Sequence, residues 1–311
     1  MKIVFMGTPD FAAGALKGLI DAGHEITAVV TQPDKPKGRS KELVPSPVKV
    51  CAEKHGIPVF QPKRIKTEEA IRELKGYEAD VYIVAAFGQI LSQEILDIPY
   101  YGCLNIHASL LPKYRGASPI QHVIIDGEEK TGVTIMQMDA GIDTGDMLYK
   151  REISIENSDN YETLHDKLTI LGAEAVVEAL ELLVQGKLEP EKQNEDLSCY
   201  APLIDKAMGE IDFSQDALTI DRKIRGMTPW PSAFTGYRGK QLKIWRAEPD
   251  METAAIGKPG EILQVDKERV TVAAGRGVLH VYELQLEGKK RMTAHDFLLG
   301  VKMQTGEILE K

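Results

Sequence analysis

The sequence predicts an α/β protein with a doubly wound, Rossmann-like N-terminal domain and a small β-barrel C-terminal domain. Over residues 1–189, short apolar segments alternate with segments of helical periodicity, which is typical of parallel strands joined by helices. Over residues 207–311, short alternating strands are separated by glycine turns, which is typical of a barrel. The polar segment 190–206 lacks periodicity and is therefore predicted to be a linker.

The composition is that of a globular protein, with 311 residues of which 43% are hydrophobic and 27% are charged. Cys51, Cys103 and Cys199 lie far apart, so the sequence predicts neither a disulfide framework nor a zinc site. That cysteine pattern favours a reducing compartment, and a cytoplasmic protein is expected. No signal peptide and no apolar segment long enough to span a bilayer is seen, so no membrane partner is expected.

The net charge of −9 argues against long-range attraction of a nucleic acid. Residues 207–311 carry 16 Lys and Arg against 15 Asp and Glu, so this part is nearly neutral. Any contact with RNA is therefore expected to use local clusters of cations.

The first elements in chain order are a strand at 2–6, a glycine turn, a helix at 13–22 and a strand at 25–30. The glycines of the turn lack the G-x-G-x-x-G spacing, so a dinucleotide site is not expected. The following segment has no apolar periodicity and is either a solvated loop or a mobile basic loop that becomes ordered on phosphates. Its cations are Lys35, Lys37, Arg39 and Lys41.

The remaining pattern continues both domains. In the first domain, helices are predicted at 47–55, 68–74, 118–126 and 161–185, and strands at 59–60, 80–86, 131–138 and 149–155. In the second, a helix is predicted at 216–227 and strands at 233–237, 241–248, 260–265, 269–273 and 278–284.

The stretch with the most chemical content is 102–116, which reads GCLNIHASLLPKYRG. Asn105 and His107 are two residues apart in a strand and therefore lie on the same face. At a strand's carboxyl end, such a pair either holds a carbonyl oxygen and manages a proton or caps nearby backbone groups. The carboxylate-rich loop 139–146 follows the next strand, and one of its carboxylates could orient His107.

These residues form a recognisable motif. Asn105-x-His107-x-Ser109-Leu110-Leu111-Pro112 with the later Asp143-Thr144-Gly145 resembles the 10-formyltetrahydrofolate-dependent formyltransferases, and the resemblance covers residues 2–299. It implies that Asn105, His107 and Asp143 carry formyl transfer from 10-formyltetrahydrofolate. The full-length pattern is most similar to the members that act on initiator methionyl-tRNA. The folate-binding residues implied are Phe87, Gly88, Gln89, Ile90, Leu91, Ser109, Leu110, Leu111 and Pro112.

The resemblance also bears on the second domain, which it identifies as an OB-like barrel that binds tRNA; a barrel acting only as a structural cap is the alternative. The expected tRNA-binding residues are Lys35, Lys37, Arg39, Lys41, Lys206, Arg222, Lys223 and Arg225. A monomer is expected, and no metal spacing is visible.

Three other functions compete with this interpretation. A glycinamide ribonucleotide formyltransferase shares the motif but usually lacks a second domain. A formyltetrahydrofolate hydrolase module can carry one. A non-catalytic RNA-binding protein on a decayed enzyme fold is the third, and the intact Asn105, His107 and Asp143 argue against it. The basic segment at 35–41 and the P-W-P stretch at 229–231 favour the tRNA enzyme.

Overall fold

The apolar strands near the N-terminus pair side by side in a mostly parallel sheet. The computed structural model describes residues 1–37, 42–254 and 256–310, and the chain divides into two units. Unit 1 comprises residues 1–119, 130–154 and 165–201. Unit 2 comprises residues 120–129 and 155–164 together with the residues from Pro202 onward.

The strands up to residue 201 are β1 Lys2–Gly7, β2 Glu25–Val30, β3 Lys35–Lys37, β4 Glu42–Val44, β5 Val59–Phe60, β6 Val81–Ala85, β7 Cys103–His107, β8 Arg115–Gly116, β9 Lys130–Gln137, β10 Met147–Ser154 and β11 Tyr200–Ala201. The α-helices in the same range are α1 Asp10–Asp21, α2 Pro47–Lys54, α3 Glu68–Gly76, α4 Gln93–Leu96, α5 Pro119–Ile125 and α6 Tyr161–Val184.

In the part of the chain that the structure describes, unit 1 contains a seven-stranded sheet of order β10-β9-β7-β6-β1-β2-β5. The five strands β7, β6, β1, β2 and β5 are parallel to one another. At the other edge, β9 runs antiparallel to β7, and β10 runs antiparallel to β9. The central strands β1 and β6 are buried except at Lys2, as expected for a parallel sheet with helices on both faces. The winding changes direction between β1 and β6, and open α/β sheets bind ligands at the carboxyl ends of the strands at such a point.

Several helices begin at residues that satisfy exposed backbone amides. Ser46 accepts a hydrogen bond from the amide of Lys49 at 3.1 Å, and Pro47 occupies the first turn of α2. Thr67 likewise accepts from the amide of Ala70 at 3.3 Å at the start of α3. These local signals explain why the predicted helices begin where they do.

The basic segment differs from the predicted loop. Residues 35–37 and 42–44 pair as the antiparallel hairpin β3–β4, so part of the segment is extended and paired rather than a loop without regular structure. Arg39 and Lys41 lie outside the described residues. Of the predicted cations, Lys35 lies exposed on β3.

Unit 2 contains an antiparallel sheet of order β12-β13-β16-β15-β14, with β17 paired to β16. Its strands and helices are β12 Ala233–Tyr237, β13 Lys240–Asp250, β14 Ile262–Val265, β15 Val270–Ala273, β16 Val278–Leu286, β17 Met292–Thr293, α7 Ala217–Met227 and α8 Ala294–Gly300. Glu310 exchanges two backbone hydrogen bonds with Gly236 of β12, and Ile308 bridges to Glu261 beside β14. One segment therefore joins the two edge strands.

The predicted fold class is confirmed, with a Rossmann-like parallel sheet followed by an antiparallel-sheet unit. The division into domains at 1–189, 190–206 and 207–311 stays a prediction. Two short segments of the predicted first domain, 120–129 and 155–164, belong to unit 2. Residues 190–201 of the predicted linker belong to unit 1.

Candidate active site

His107 ends β7 and is buried, with 6% of its side chain exposed. Its Nε2 lies 2.9 Å from the carbonyl oxygen of Tyr114. Because a carbonyl oxygen only accepts hydrogen bonds, Nε2 must carry the proton in this contact. In the neutral ring, Nδ1 then holds the lone pair, and this nitrogen lies 3.6 Å from Oδ2 of Asp143. The ring is therefore oriented with its basic nitrogen toward the carboxylate.

Asp143 lies in the loop between β9 and β10 and binds two other groups of the site. Its Oδ2 accepts a hydrogen bond from the amide of Gly116 at 2.9 Å, and its Oδ1 accepts from Nδ2 of Asn105 at 3.4 Å. Its backbone has φ of +53°, in the left-handed region that non-glycine residues seldom adopt. The structure thus brings Asn105, His107 and Asp143 together. Their catalytic roles stay a prediction.

The turn after β7 is fixed by a network of buried hydroxyl groups. The Ser109 hydroxyl donates to the carbonyl of Lys113 at 2.7 Å. Thr134 on the neighbouring β9 donates to the carbonyl of Ser109 at 2.7 Å and accepts from the amide of Leu111 at 3.1 Å. Tyr114, whose carbonyl holds His107, has φ of +62°. The Ser109 hydroxyl thus binds a backbone carbonyl, and its predicted contact with folate stays a prediction.

The predicted folate-binding residues lie at two neighbouring strand ends. Because β6 and β7 are adjacent and parallel, the segments 86–91 and 108–112 begin at neighbouring strand ends. Phe87 and Leu91 are buried in one apolar cluster, whereas Leu111 packs with Met136 and Met147 in another.

The exposed residues of the first segment are those that a ligand can reach. Ile90 is 68% exposed and Gly88 is exposed, with φ of +80°. The Gln89 side chain instead holds the segment 62–65, accepting from the amide of Ile65 at 2.8 Å and donating to the carbonyl of Pro62 at 3.2 Å. Leu110 and Pro112 are half-buried.

Comparison with protein families identifies the chain. Residues 1–180 match the formyl transferase family, and residues 203–302 match the formyl transferase C-terminal domain. The first match covers more than half of the chain. The chain belongs to the formyl transferase family.

Relatives of this family resemble the chain over its full length. It is 52% identical over 311 residues to the methionyl-tRNA formyltransferase of Citrifermentans bemidjiense, covering 100% of this chain and 97% of that protein.

Solved structures share the fold at lower identity. HypX from Aquifex aeolicus in complex with tetrahydrofolic acid has a TM-score of 0.65 at 21% identity, covering 100% of this chain and 51% of that chain. This chain therefore spans about half of HypX. The N-formyltransferase from Helicobacter canadensis in complex with folinic acid and dTDP-3-aminofucose has a TM-score of 0.69 at 19% identity, covering 94% and 100%. At these identities the likeness shows the fold alone.

The predicted cations of unit 2 have different surroundings. Lys206 is exposed, and Arg222 is half-buried. Lys223 donates to the carbonyl of Glu210, and burial lowers the pKa of its ammonium. Arg225 donates to Asp221 at 2.8 Å and to the carbonyl of Asp159 at 2.8 Å, with 17% of its side chain exposed. Lys223 and Arg225 thus have partners within unit 2, and their tRNA contacts stay a prediction.

Among the described residues, no helix has the length and apolar character needed to cross a bilayer. The same residues contain no group of three or more His, Cys, Asp or Glu side chains placed to hold a metal ion.

The sequence did not indicate four groups that complete the site. They are the Tyr114 carbonyl, the Gly116 amide, the Thr134 hydroxyl and the Gln193 carboxamide. The first two are backbone groups, which carry no side-chain signal. Thr134 lies opposite His107 in the β7–β9 register, and β9 is buried on both faces, so its sequence shows no alternation that would place Thr134 on that face.

Proposed function

We propose that this chain transfers the formyl group of 10-formyltetrahydrofolate to the α-amino group of methionine esterified to initiator tRNA. The observation that carries the proposal is the convergence of Asn105, His107 and Asp143 at the carboxyl end of β7. The identity of the acceptor is supported by the relative that is 52% identical over the full chain and is named methionyl-tRNA formyltransferase. A folate donor is consistent with the tetrahydrofolate bound to HypX, which shares the fold.

The proposed reaction is acyl transfer without a covalent enzyme intermediate. The methionyl amine attacks the formyl carbon, which forms the new C–N bond and an oxyanion. Collapse of this species breaks the bond from the formyl carbon to N10 of the folate, and N10 takes up a proton. His107 Nδ1 accepts the proton of the attacking amine, because Nε2 donates to the Tyr114 carbonyl.

The other two residues act on charge. The Asn105 amide has a second N–H with which it can donate to the formyl oxygen, and a donor of this kind is worth about 3–4 kcal/mol in the barrier. Asp143, 3.6 Å from Nδ1, stabilises the imidazolium that forms when His107 takes the proton. Each residue therefore acts on charge that appears only in the transition state.

The proposal extends to the organisation and location of the protein. We place folate binding and chemistry in residues 1–189 and tRNA binding in residues 207–311 together with the basic segment at 35–41. We propose a cytoplasmic location, since translation initiation takes place in that compartment. We also propose that the protein is a monomer. Sedimentation equilibrium of the purified chain tests the monomer.

The direct test mixes the purified protein with 10-formyltetrahydrofolate and methionyl initiator tRNA and follows formylmethionyl-tRNA. Formyl transfer to the charged tRNA is the expected result. Release of formate in the absence of tRNA, without transfer, would instead identify a formyltetrahydrofolate hydrolase. Binding of tRNA without either product would identify a non-catalytic RNA-binding protein.

Gly88→Val is expected to weaken folate binding at least about tenfold, because a branched side chain at this exposed position would occupy space that the predicted folate site leaves for the ligand. Gly88 has φ of +80°, so the substitution also strains the backbone. Gly23→Val is the matched control, since Gly23 has φ of +81° in open space. Folate affinity measured by titration calorimetry should fall in Gly88→Val alone. Equal folate affinities in Gly88→Val and Gly23→Val would show that Gly88 does not line the folate site.

Arg39→Ala is expected to raise KM for methionyl-tRNA several-fold and to leave folate binding unchanged. The reason is that a guanidinium binds phosphate or a base edge through two parallel hydrogen bonds. Steady-state kinetics at two salt concentrations measure the effect, because phosphate contacts weaken with salt. Arg72→Ala, which removes an exposed arginine from α3, is the control. Unchanged kinetics in Arg39→Ala would identify the segment as a solvated turn.

A further inference from the structure

Residues 191–201, which we call the strap, lie along unit 1 beside the candidate active site. At one end, Glu191 exchanges backbone hydrogen bonds with Met147 at 2.8 and 2.9 Å. At the other end, β11 pairs with β8, which belongs to the turn that carries the Tyr114 carbonyl and the Gly116 amide. Backbone hydrogen bonds on both sides of its central residues therefore hold the strap against the rest of unit 1.

Gln193 lies in the middle of the strap, and its carboxamide contacts both loops of the site. Its Nε2 donates to the carbonyl of Asp143 at 2.7 Å and to the carbonyl of Gly145 at 2.8 Å. Its Oε1 accepts from Nε of Arg115 at 2.9 Å. Two donors and an acceptor on one planar group are available from glutamine but not from glutamate, whose carboxylate only accepts.

Arg115 connects this carboxamide to the turn that holds His107. The residue is only 2% exposed, and its two terminal nitrogens bind both carboxylate oxygens of Glu195 at 2.8 and 2.9 Å. The hydrogen bond to Arg115 lowers the pKa of the Glu195 carboxyl, so the pair stays charged at neutral pH. Along the chain, Arg115 stands between Tyr114 and Gly116, whose backbone groups bind His107 and Asp143.

We propose that Gln193 is a positioning residue, which fixes the Asp143 carboxylate relative to the His107 ring by binding the Asp143 backbone and Arg115 together. The inference rests on the proposed function, because it assigns Asp143 its role in formyl transfer. Asp143 has φ of +53°, and a non-glycine residue in this region persists only when its surroundings hold it there. The two hydrogen bonds from Gln193 to the loop supply that restraint.

The first test removes the hydrogen-bond donors of the Gln193 side chain and keeps a side chain of similar size. Gln193→Glu retains an acceptor for Arg115 but directs a carboxylate at two carbonyl oxygens, and Gln193→Met removes all three contacts. Both variants are expected to lower kcat at least about tenfold, because the Asp143 carboxylate is no longer held beside His107, and to change KM for either substrate less than about twofold. Gln185→Glu, the same change at an exposed position at the end of α6, is the control.

The second test asks whether Gln193 acts through Asp143. In an Asp143→Ala background, Gln193→Met should cause no further loss of kcat, because the carboxylate that it positions is absent. Additive losses in the double variant would show a general structural role and would overturn the inference.

The third test does not depend on turnover. The Gly116 amide donates to the Asp143 carboxylate, so its hydrogen exchange reports whether that carboxylate is in place. Exchange at this amide should be at least about tenfold faster in Gln193→Met than in Gln185→Glu. Equal exchange rates would overturn the inference. If the wild type fails to formylate methionyl-tRNA, the proposed function fails, and this measurement still decides whether Gln193 holds the carboxylate.

Discussion

His107→Ala is expected to lower kcat for formyl transfer at least about a hundredfold, which is the lower end of what a positioned general base contributes. The substitution removes Nδ1, the nitrogen that faces Asp143 and accepts the amine proton in the proposed mechanism. Folate binding should persist, because the apolar segments at 86–91 and 108–112 remain. Single-turnover formation of formylmethionyl-tRNA measures the chemical step directly.

Two further variants separate loss of the base from loss of structure. Alanine removes the hydrogen bond from Nε2 to the Tyr114 carbonyl, and such a bond contributes about 0.5–1.5 kcal/mol to the free energy of folding. His107→Gln places an amide N–H near the position of Nε2 but offers no proton acceptor, so it should be more stable than His107→Ala and equally slow. His55→Ala, an exposed histidine at the end of α2, should retain full activity. Near-normal turnover in His107→Ala would show that His107 is not the general base of the reaction.

The sequence predicted the core of the site because its information there is local. Asn105 and His107 lie on one face since a strand alternates with period two, and their place at the end of a buried parallel strand followed from the apolar residues before them. The segment 87–91, which follows β6, was assigned to the folate site through the family resemblance. Asp143 was placed by the motif, because no local rule gives the path of a glycine-rich loop.

The strap could not be predicted, because a polar segment without periodicity carries no signal for what it contacts. Gln193 lies 50 positions from Asp143 and 78 from Arg115 along the chain, and its contacts are hydrogen bonds to two carbonyls and a guanidinium. Such contacts depend on tertiary structure alone, which is why the segment was predicted to be a linker. The hairpin β3–β4 was missed for a related reason, since Lys35–Lys37 contains a proline and two charged residues and has little strand propensity.

Asp143→Asn is expected to lower kcat at least about a hundredfold without adding backbone strain at this position. Asparagine tolerates the left-handed backbone region at least as well as aspartate, so φ of +53° carries no added cost. The substitution removes the negative charge 3.6 Å from Nδ1 of His107, and the imidazolium formed during transfer loses its stabilising partner. One amide group also cannot accept from both Gly116 and Asn105, as the two carboxylate oxygens do. A loss of this size is in the range that removal of an oriented charge beside a catalytic histidine produces.

Asp143→Ala separates this charge effect from the backbone. Alanine in the left-handed region costs about 1–2 kcal/mol, so this variant should unfold at a lower temperature than Asp143→Asn, yet the two should lose similar amounts of kcat. Asp146→Asn makes the same chemical change three residues further along the loop and should retain wild-type kinetics. Thermal unfolding by circular dichroism and single-turnover kinetics on the three variants measure both quantities. Normal kcat in Asp143→Asn with slow turnover in Asp143→Ala would mean that the loop conformation, and not the negative charge, supports catalysis.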